Sequence, residues 1–123
     1  MNLAEYFENT KGTGVLATAN KKGDVDIAIY ARPHVIDEKT VAFIMNDRLS
    51  YKNLTSNPKA AYLFLEKKSG YKGRRLYLTK TREETDVELI ESVRRKTDSR
   101  HGSDTKKYLV YFSIDKIRPL AGK

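Results

Sequence analysis

Short runs of apolar residues, separated by polar turns, recur along the chain and predict a β-rich domain. Residues 14–20 (GVLATAN) form the first predicted strand. Residues 25–37 (VDIAIYARPHVID) alternate between two faces as a second strand does, until Arg32-Pro33 interrupts the period. Because proline cannot donate a hydrogen bond to a ladder, we expect an edge, a bend or a bulge at that point.

Four further runs, 40–45, 59–66, 75–81 and 107–117, complete a predicted sheet of six strands. Six strands joined mostly by tight turns favour an antiparallel barrel with helices at its ends over a parallel layered fold. Two of these strands, 59–66 and 107–117, are apolar on both faces. The outer face of a small barrel meets water, so we expect a homodimer to cover them.

Helices are predicted at the start of the chain and between the last two strands. In the first helix, residues 2–9, Asn2 can cap the amino end with Glu5 at the capping-box position. A longer helix begins at Thr85, which forms a capping box with Glu88. Its apolar stripe, a core face, consists of Val87, Leu89, Ile90 and Val93.

The segment 46–58 (NDRLSYKNLTSNP) predicts a strand that passes directly into a short helix, capped by Ser50 and ended by Pro58. Arg48 and Lys52 flank this helix start, where the macrodipole disfavours cations. Two cations there make physical sense if an anion lies between them, and a phosphate held by N–H groups, the serine and the basic pair is the expected case. The alternative is a solvated turn with an ordinary serine cap.

Length and composition limit the classes of protein. A chain of 123 residues suits a single domain, residues 1–123, with enough buried surface for a core. It has no cysteine and two isolated histidines, which excludes disulfides and thiolate sites and disfavours structural zinc, so demanding chemistry would need a cofactor. No apolar run approaches the ~20 residues of a membrane span, and Glu5 and Glu8 lie where a signal peptide would be basic. We therefore expect a soluble, cytoplasmic protein.

The net charge of +8 favours an anionic partner, such as a nucleic acid, a phosphorylated metabolite or a cofactor phosphate. Seven basic residues and no acidic ones lie between Lys67 and Arg82. One interpretation of this run is a solvated strand edge. A second is a small basic barrel that binds single-stranded nucleic acid, with Tyr71 and Tyr77 as stacking platforms. A third is a non-catalytic partner-binding domain.

The order of these elements and the residues in them resemble the pyridoxamine 5'-phosphate oxidase-like family of FMN-binding split barrels. The resemblance spans nearly the whole chain and rests on GVLATAN (14–20), Tyr30-Ala31-Arg32, the segment 43–64 (FIMNDRLSYKNLTSNPKAAYLF) and the segment 71–84 (YKGRRLYLTKTREE). It implies a six-stranded antiparallel split β-barrel that forms a homodimer, with FMN at the interface. It also implies a flavin-dependent oxidoreductase or electron-transfer protein, in which the flavin performs the hydride or electron transfer.

The same resemblance implies how the cofactor phosphate is held. Arg48, Ser50 and Lys52 would be its ligands, with Ser50 partly in a position where many members have a lysine. Arg74 or Arg75 would reach a phosphate across the dimer, unless each is an ordinary solvated arginine.

For the flavin ring, the resemblance implies a lining of Tyr30, Ala31 and Arg32 from the second strand, with Asn46 hydrogen-bonding ring or ribityl oxygens. The alternative for Tyr30 is a core aromatic. Genuine pyridoxamine phosphate oxidases have a C-terminal substrate segment with Trp, Arg and His, whereas this chain has no tryptophan and ends in IRPLAGK. We therefore do not expect that activity, and no residue stands out as a catalytic acid or base.

Overall fold

The computed structural model describes residues 2–68, 70–94 and 106–122, which form one antiparallel sheet and three helices. The strands are β1 (Gly12–Ala19), β2 (Val25–Ile29), β3 (His34–Asp37), β4 (Thr40–Asn46), β5 (Lys59–Glu66), β6 (Gly73–Glu84) and β7 (Lys107–Pro119). The helices are α1 (Leu3–Asn9), α2 (Leu49–Ser56) and α3 (Val87–Val93). The strands lie in the order β2-β1-β5-β6-β7-β4-β3. No helix in these ranges is long and apolar enough to cross a membrane.

The predicted second strand, residues 25–37, is two strands, so the described residues contain seven strands where six were expected. β2 lies at one edge of the sheet and β3 at the opposite edge. After Ile29, the last residue of β2, the chain ends its pairing with β1. It then crosses through residues 30–33 to pair with β4 as β3. The predicted interruption at Arg32-Pro33 is confirmed, because Pro33 cannot continue a ladder. The mainly β, antiparallel architecture is confirmed as well.

Aromatic side chains on the inner face of the sheet build the main core. Phe43, Tyr62 and Phe112 are almost fully buried, and the ring centroid of Phe43 lies 5.0 Å from that of Tyr62 and 5.8 Å from that of Phe112. α1 closes one end of this core with Phe7, whose ring centroid lies 5.3 Å from that of Phe64. An isolated helix of seven residues is unstable, so α1 depends on the burial of Phe7.

The outer face of β7 is covered by α3. Val110 and Phe112 enter the main core, whereas Leu109 and Tyr111 pack with Ile90 of α3 in a second buried cluster. This packing explains why β7 is apolar on both faces within a single copy of the chain. The homodimer predicted from the sequence is not needed to cover this strand.

The helix caps agree with the sequence in one case and differ in another. The predicted cap of α1 is confirmed, because Asn2 Oδ1 accepts a hydrogen bond at 3.1 Å from the backbone N–H three residues on. α3 is capped by Asp86 instead of Thr85, with Asp86 Oδ1 accepting from the N–H of Glu88 at 2.9 Å. Aspartate is a strong N-cap and its position shortens the helix. Val87, predicted in the buried stripe, is 72% exposed.

A second apolar surface remains exposed on β2 and β5. Val25, Ile27 and Ile29 are 80%, 70% and 72% exposed, and Leu63 and Leu65 are 38% and 37% exposed. Ile29 and Leu63 lie in one row across β1, so these five side chains share a face of the sheet. We refer to these five residues as the apolar outer face.

Candidate functional site

A groove lies between the end of β2 and the end of β4, beside the crossing segment 30–33 that connects the edge strands β2 and β3. It consists of two cavities of about 510 Å³ and about 360 Å³. Both are lined by Ile29, Tyr30, Ala31, Ile44 and Asn46. The larger cavity continues to Gly12, Thr13, Gly14, Arg32, His34, Phe43, Arg94 and Lys107, and the smaller one to Asp26, Ala28, Arg48, Leu49 and Ser50.

The backbone of residues 30–31 is fixed by a buried tyrosine. The hydroxyl of Tyr62 donates to the carbonyl oxygens of Tyr30 at 3.3 Å and Ala31 at 3.1 Å, and the Tyr30 N–H donates to Gly14 O at 3.0 Å. A Cβ on Gly14 would lie 1.9 Å from the Tyr62 hydroxyl oxygen and 2.6 Å from Tyr30 O. Only glycine therefore allows β1 to approach the wall of the groove this closely.

The side chain of Tyr30 connects the groove wall to the start of α2. Its ring packs edge to face on Phe43, with centroids 5.9 Å apart, and its hydroxyl hydrogen-bonds with Ser50. Burial raises the pKa of Tyr30, while the hydrogen bond with Ser50 and the nearby charge of Arg48 oppose that rise. The hydroxyl is therefore protonated near neutral pH and serves as a hydrogen-bonding group.

The N-cap of α2 is Arg48, so the assignment of Ser50 as the cap was wrong. Ser50 lies in the first turn, is 4% exposed and is directed to Tyr30. Arg48 makes no side-chain cap hydrogen bond. The first-turn N–H groups therefore have no side-chain acceptor from the N-cap residue. Arg48, Leu49 and Ser50, at the positive end of the helix dipole, line the smaller cavity.

α2 is held in this position by two buried contacts. Asn53 Nδ2 donates to Thr18 Oγ1 of β1 at 3.0 Å, and Leu54 enters the main core. The helix ends as predicted, with Asn57 as its C-cap before Pro58. These contacts fix the amino end of α2 relative to the groove.

Asn46 and Arg32 line the groove and also make contacts within the protein. Lys107 Nζ donates to Asn46 Oδ1 at 3.0 Å, and the carbonyl oxygen of Asn46 accepts from the Arg48 N–H at 2.8 Å. Arg32 Nη1 donates to the carbonyl oxygen of Phe7 at 2.6 Å, at the carboxyl end of α1. The arginine therefore joins α1 to the crossing segment, a role that the sequence did not suggest.

Six of the nine residues selected from the sequence line the groove: Tyr30, Ala31, Arg32, Asn46, Arg48 and Ser50. Lys52 is exposed on α2 one turn beyond the cap and does not line either cavity. Arg74 and Arg75 point elsewhere in this copy. The guanidinium of Arg74 lies 4.6 Å from the ring centroid of Tyr6, and Arg75 donates to Pro119 O at 2.8 Å and to Gly122 O. A contact of either arginine with a partner copy remains a prediction.

Sequence reasoning missed Arg94 and Lys107. Lys107 begins β7 directly opposite Asn46 in the β4 ladder, so the predicted strands contained a weak signal for it. Arg94 follows α3, and it comes to the groove because Ile90 packs that helix on the outer face of β4 and β7. No local pattern marks such a residue.

Comparison with known proteins gives structural matches alone, since no family model and no curated protein sequence matches the chain. An FMN-binding protein from Syntrophomonas wolfei subsp. wolfei has a TM-score of 0.77 at 20% identity, covering 98% of this chain and 84% of the other. HupZ from Group A Streptococcus has a TM-score of 0.72 at 22% identity, covering 97% and 95%. An F420 reductase has a TM-score of 0.69 at 14% identity, covering 96% and 98%.

Pyridoxamine 5'-phosphate oxidase-like proteins are also among the structural neighbours. The chain has the split-barrel fold shared by these proteins. The fold class expected from the sequence is thus confirmed, with seven strands in place of six.

Proposed function

We propose that this protein binds FMN in the groove and works as a flavin-dependent oxidoreductase or electron-transfer protein. The observation that carries the proposal is the amino end of α2, where the N-cap residue Arg48 makes no side-chain cap hydrogen bond and lines the groove together with Ser50. Two joined cavities of about 360 Å³ and about 510 Å³ are of the size that takes a cofactor. When bound, FMN would supply the hydride or electron transfer.

The residues of the groove divide into two groups by chemistry. Arg48, Ser50 and the first-turn N–H groups of α2 would hold the phosphate, with exposed Lys52 adding positive charge nearby. The ring would lie against the wall formed by Ile29, Tyr30, Ala31, Ile44 and Asn46. These residues bind and orient the flavin, and the apolar ones exclude water from it. None of them is assigned a proton-transfer step.

A homodimer is part of this proposal. The apolar outer face is a contiguous exposed patch, and such patches on soluble proteins mark interaction sites. Ile29 belongs both to this face and to the groove, so a second copy seated on the face would also border the flavin. Isologous pairing of one patch with itself is the commonest route to a dimer.

The rival nucleic-acid function has weaker support. Four of the seven basic residues between Lys67 and Arg82 have partners within the chain: Arg74 lies on Tyr6, Arg75 binds backbone carbonyls, and Lys80 and Arg82 pair with Glu83 and Glu84. Tyr77, one of the two proposed stacking platforms, lies against Arg118. Less of this run is therefore left to neutralise a nucleic-acid backbone than the sequence suggested.

The test is to add FMN to purified protein, remove unbound flavin and record the absorbance spectrum, with sedimentation analysis in parallel. We expect a yellow protein at about one flavin per chain in a dimer. Colourless protein that binds single-stranded nucleic acid in a salt-sensitive manner would replace the flavin proposal with the nucleic-acid one.

A further inference from the structure

The larger cavity of the groove contains a buried arginine whose hydrogen-bonding groups are incompletely used. The side chain of Arg94 is 8% exposed and lines the larger cavity. Its Nη2 lies 3.3 Å from Glu91 Oε2, but its Nε has no hydrogen-bond partner within the described part of the chain. Buried donors are nearly always paired, so this one calls for an acceptor that residues 2–68, 70–94 and 106–122 do not provide.

The position of Arg94 is fixed by the core. Ile90 anchors α3 in the second buried cluster, and Ile44, which packs against that cluster, lines both cavities. Lys107 lines the same cavity as Arg94 and directs its Nζ to Asn46. Arg94 and Lys107 therefore bring two cationic side chains to the larger cavity, and neither of them lines the smaller cavity at the start of α2.

We propose that the larger cavity contains an oxyanion subsite, in which Arg94 and Lys107 hold a carboxylate or phosphate of the substrate beside the flavin ring. A guanidinium is a cation with a planar fork of donors, which suits both kinds of oxyanion. The subsite deepens the proposed function, on which it rests, by naming the substrate class as a small anionic molecule.

One alternative source of the oxyanion is FMN itself, bound in the reverse direction with its phosphate at Arg94. Affinities for FMN and riboflavin separate the two cases, because only the phosphate distinguishes these ligands. A substrate subsite predicts that Arg94→Met leaves both affinities unchanged. A selective loss of FMN affinity would overturn the proposal and place the cofactor phosphate at Arg94.

The direct test is calorimetric titration of the protein, with and without FMN, using benzoate, phenyl phosphate and neutral benzamide. We expect one of the two anions to bind at least tenfold more tightly than benzamide, and the stronger anion identifies the substrate as a carboxylate or a phosphate. Arg94→Met should weaken that anion about tenfold, the factor of one charge-assisted hydrogen bond, and leave benzamide unchanged. The matched control, Lys39→Met, removes an exposed cation from the β3–β4 turn and should change nothing.

Glu91→Gln provides a second variant, for which we expect the opposite effect on the affinity for the anion. The Glu91 carboxylate competes with the anion for the Arg94 guanidinium, so its replacement by an amide should raise the affinity for the anion several-fold. If the ion pair were purely structural, the affinity would not rise. Equal binding of all three probes, or Arg94→Met indistinguishable from Lys39→Met, would refute the subsite. Because the titrations are also run without FMN, failure of the flavin proposal is seen separately, as protein that takes up no FMN.

Discussion

Arg48 is the residue on which the proposed phosphate site most directly depends. It is the N-cap of α2, is exposed, and lines the smaller cavity together with Ser50. A hydrogen bond to a charged group contributes about 1.5–3 kcal/mol, and solvent screening of an exposed side chain favours the lower end of that range. Arg48→Ala should therefore lower the affinity for FMN by about tenfold.

The same substitution should leave the FMN-free protein almost as stable as before. Arg48 makes no side-chain cap hydrogen bond, so alanine removes no capping interaction at this position. Removing a cation from the positive end of α2 also relieves an unfavourable dipole interaction of a few tenths of a kcal/mol. We expect the thermal unfolding midpoint to stay unchanged or to rise slightly.

The assay is fluorescence titration of wild type and variant with FMN and with riboflavin, which lacks the phosphate. Riboflavin affinity should not change, and the loss of FMN affinity should shrink as salt concentration rises. Lys52→Ala is the matched control, because Lys52 is an exposed cation of the same helix but does not line the groove. This substitution should lower FMN affinity less than Arg48→Ala does. Equal losses for the two flavins would refute the assignment of Arg48 to the phosphate.

Three further predictions test the groove wall, its tyrosine and the apolar outer face. Gly14→Ala should lower the free energy of unfolding by about 1–3 kcal/mol, because the new Cβ would lie 1.9 Å from the Tyr62 hydroxyl oxygen; an unchanged urea midpoint would contradict this. The raised pKa of Tyr30 means that the folded state keeps a proton that the unfolded state loses above about pH 10, so stability falls as pH rises there. Tyr30→Phe should make that fall smaller in urea titrations between about pH 9 and 11, and parallel curves would contradict the assignment. Ile27→Lys should convert the proposed dimer to a monomer in light scattering without changing the fold by circular dichroism, and a dimer that persists would place the interface elsewhere.

The strands were predictable because each one carries its own period of apolar residues. The segment 59–66 was predicted with the bounds that β5 has, and the interruption at Arg32-Pro33 was also recognised. What a local pattern does not contain is which strands pair. The sequence therefore could not reveal that β2 and β3 lie at opposite edges of one sheet.

The candidate site was predictable where it follows the chain and unpredictable where it depends on packing. Arg48 and Ser50 lie in a short segment whose residue types suggest a phosphate site, and the family resemblance implied that Tyr30 lines the flavin ring. Lys107 and Asn46 are 61 residues apart and meet only through the β4–β7 register. Arg94 reaches the groove only because α3 packs on the sheet.

The basic run between Lys67 and Arg82 is a case in which residues close together in sequence lie apart in the fold. Their proximity in sequence suggested a single basic surface. Neighbouring residues of a strand point to opposite faces. Arg74 accordingly lies against Tyr6 of α1, while Arg75 donates to the carbonyl oxygens of Pro119 and Gly122. Counting charges along a strand therefore overestimates the charge available on either face.

The crossing segment explains why the groove lies where it does. A chain that passes from one edge of a sheet to the other must leave its ladder, and its backbone groups then need partners elsewhere. Here the partner is Tyr62 of β5, whose hydroxyl donates to the carbonyl oxygens of Tyr30 and Ala31. Because their carbonyl groups are satisfied from the core side, these residues can line an open groove without a paired strand beside them. The same break that divides the predicted second strand thus forms the wall on which a planar cofactor would rest.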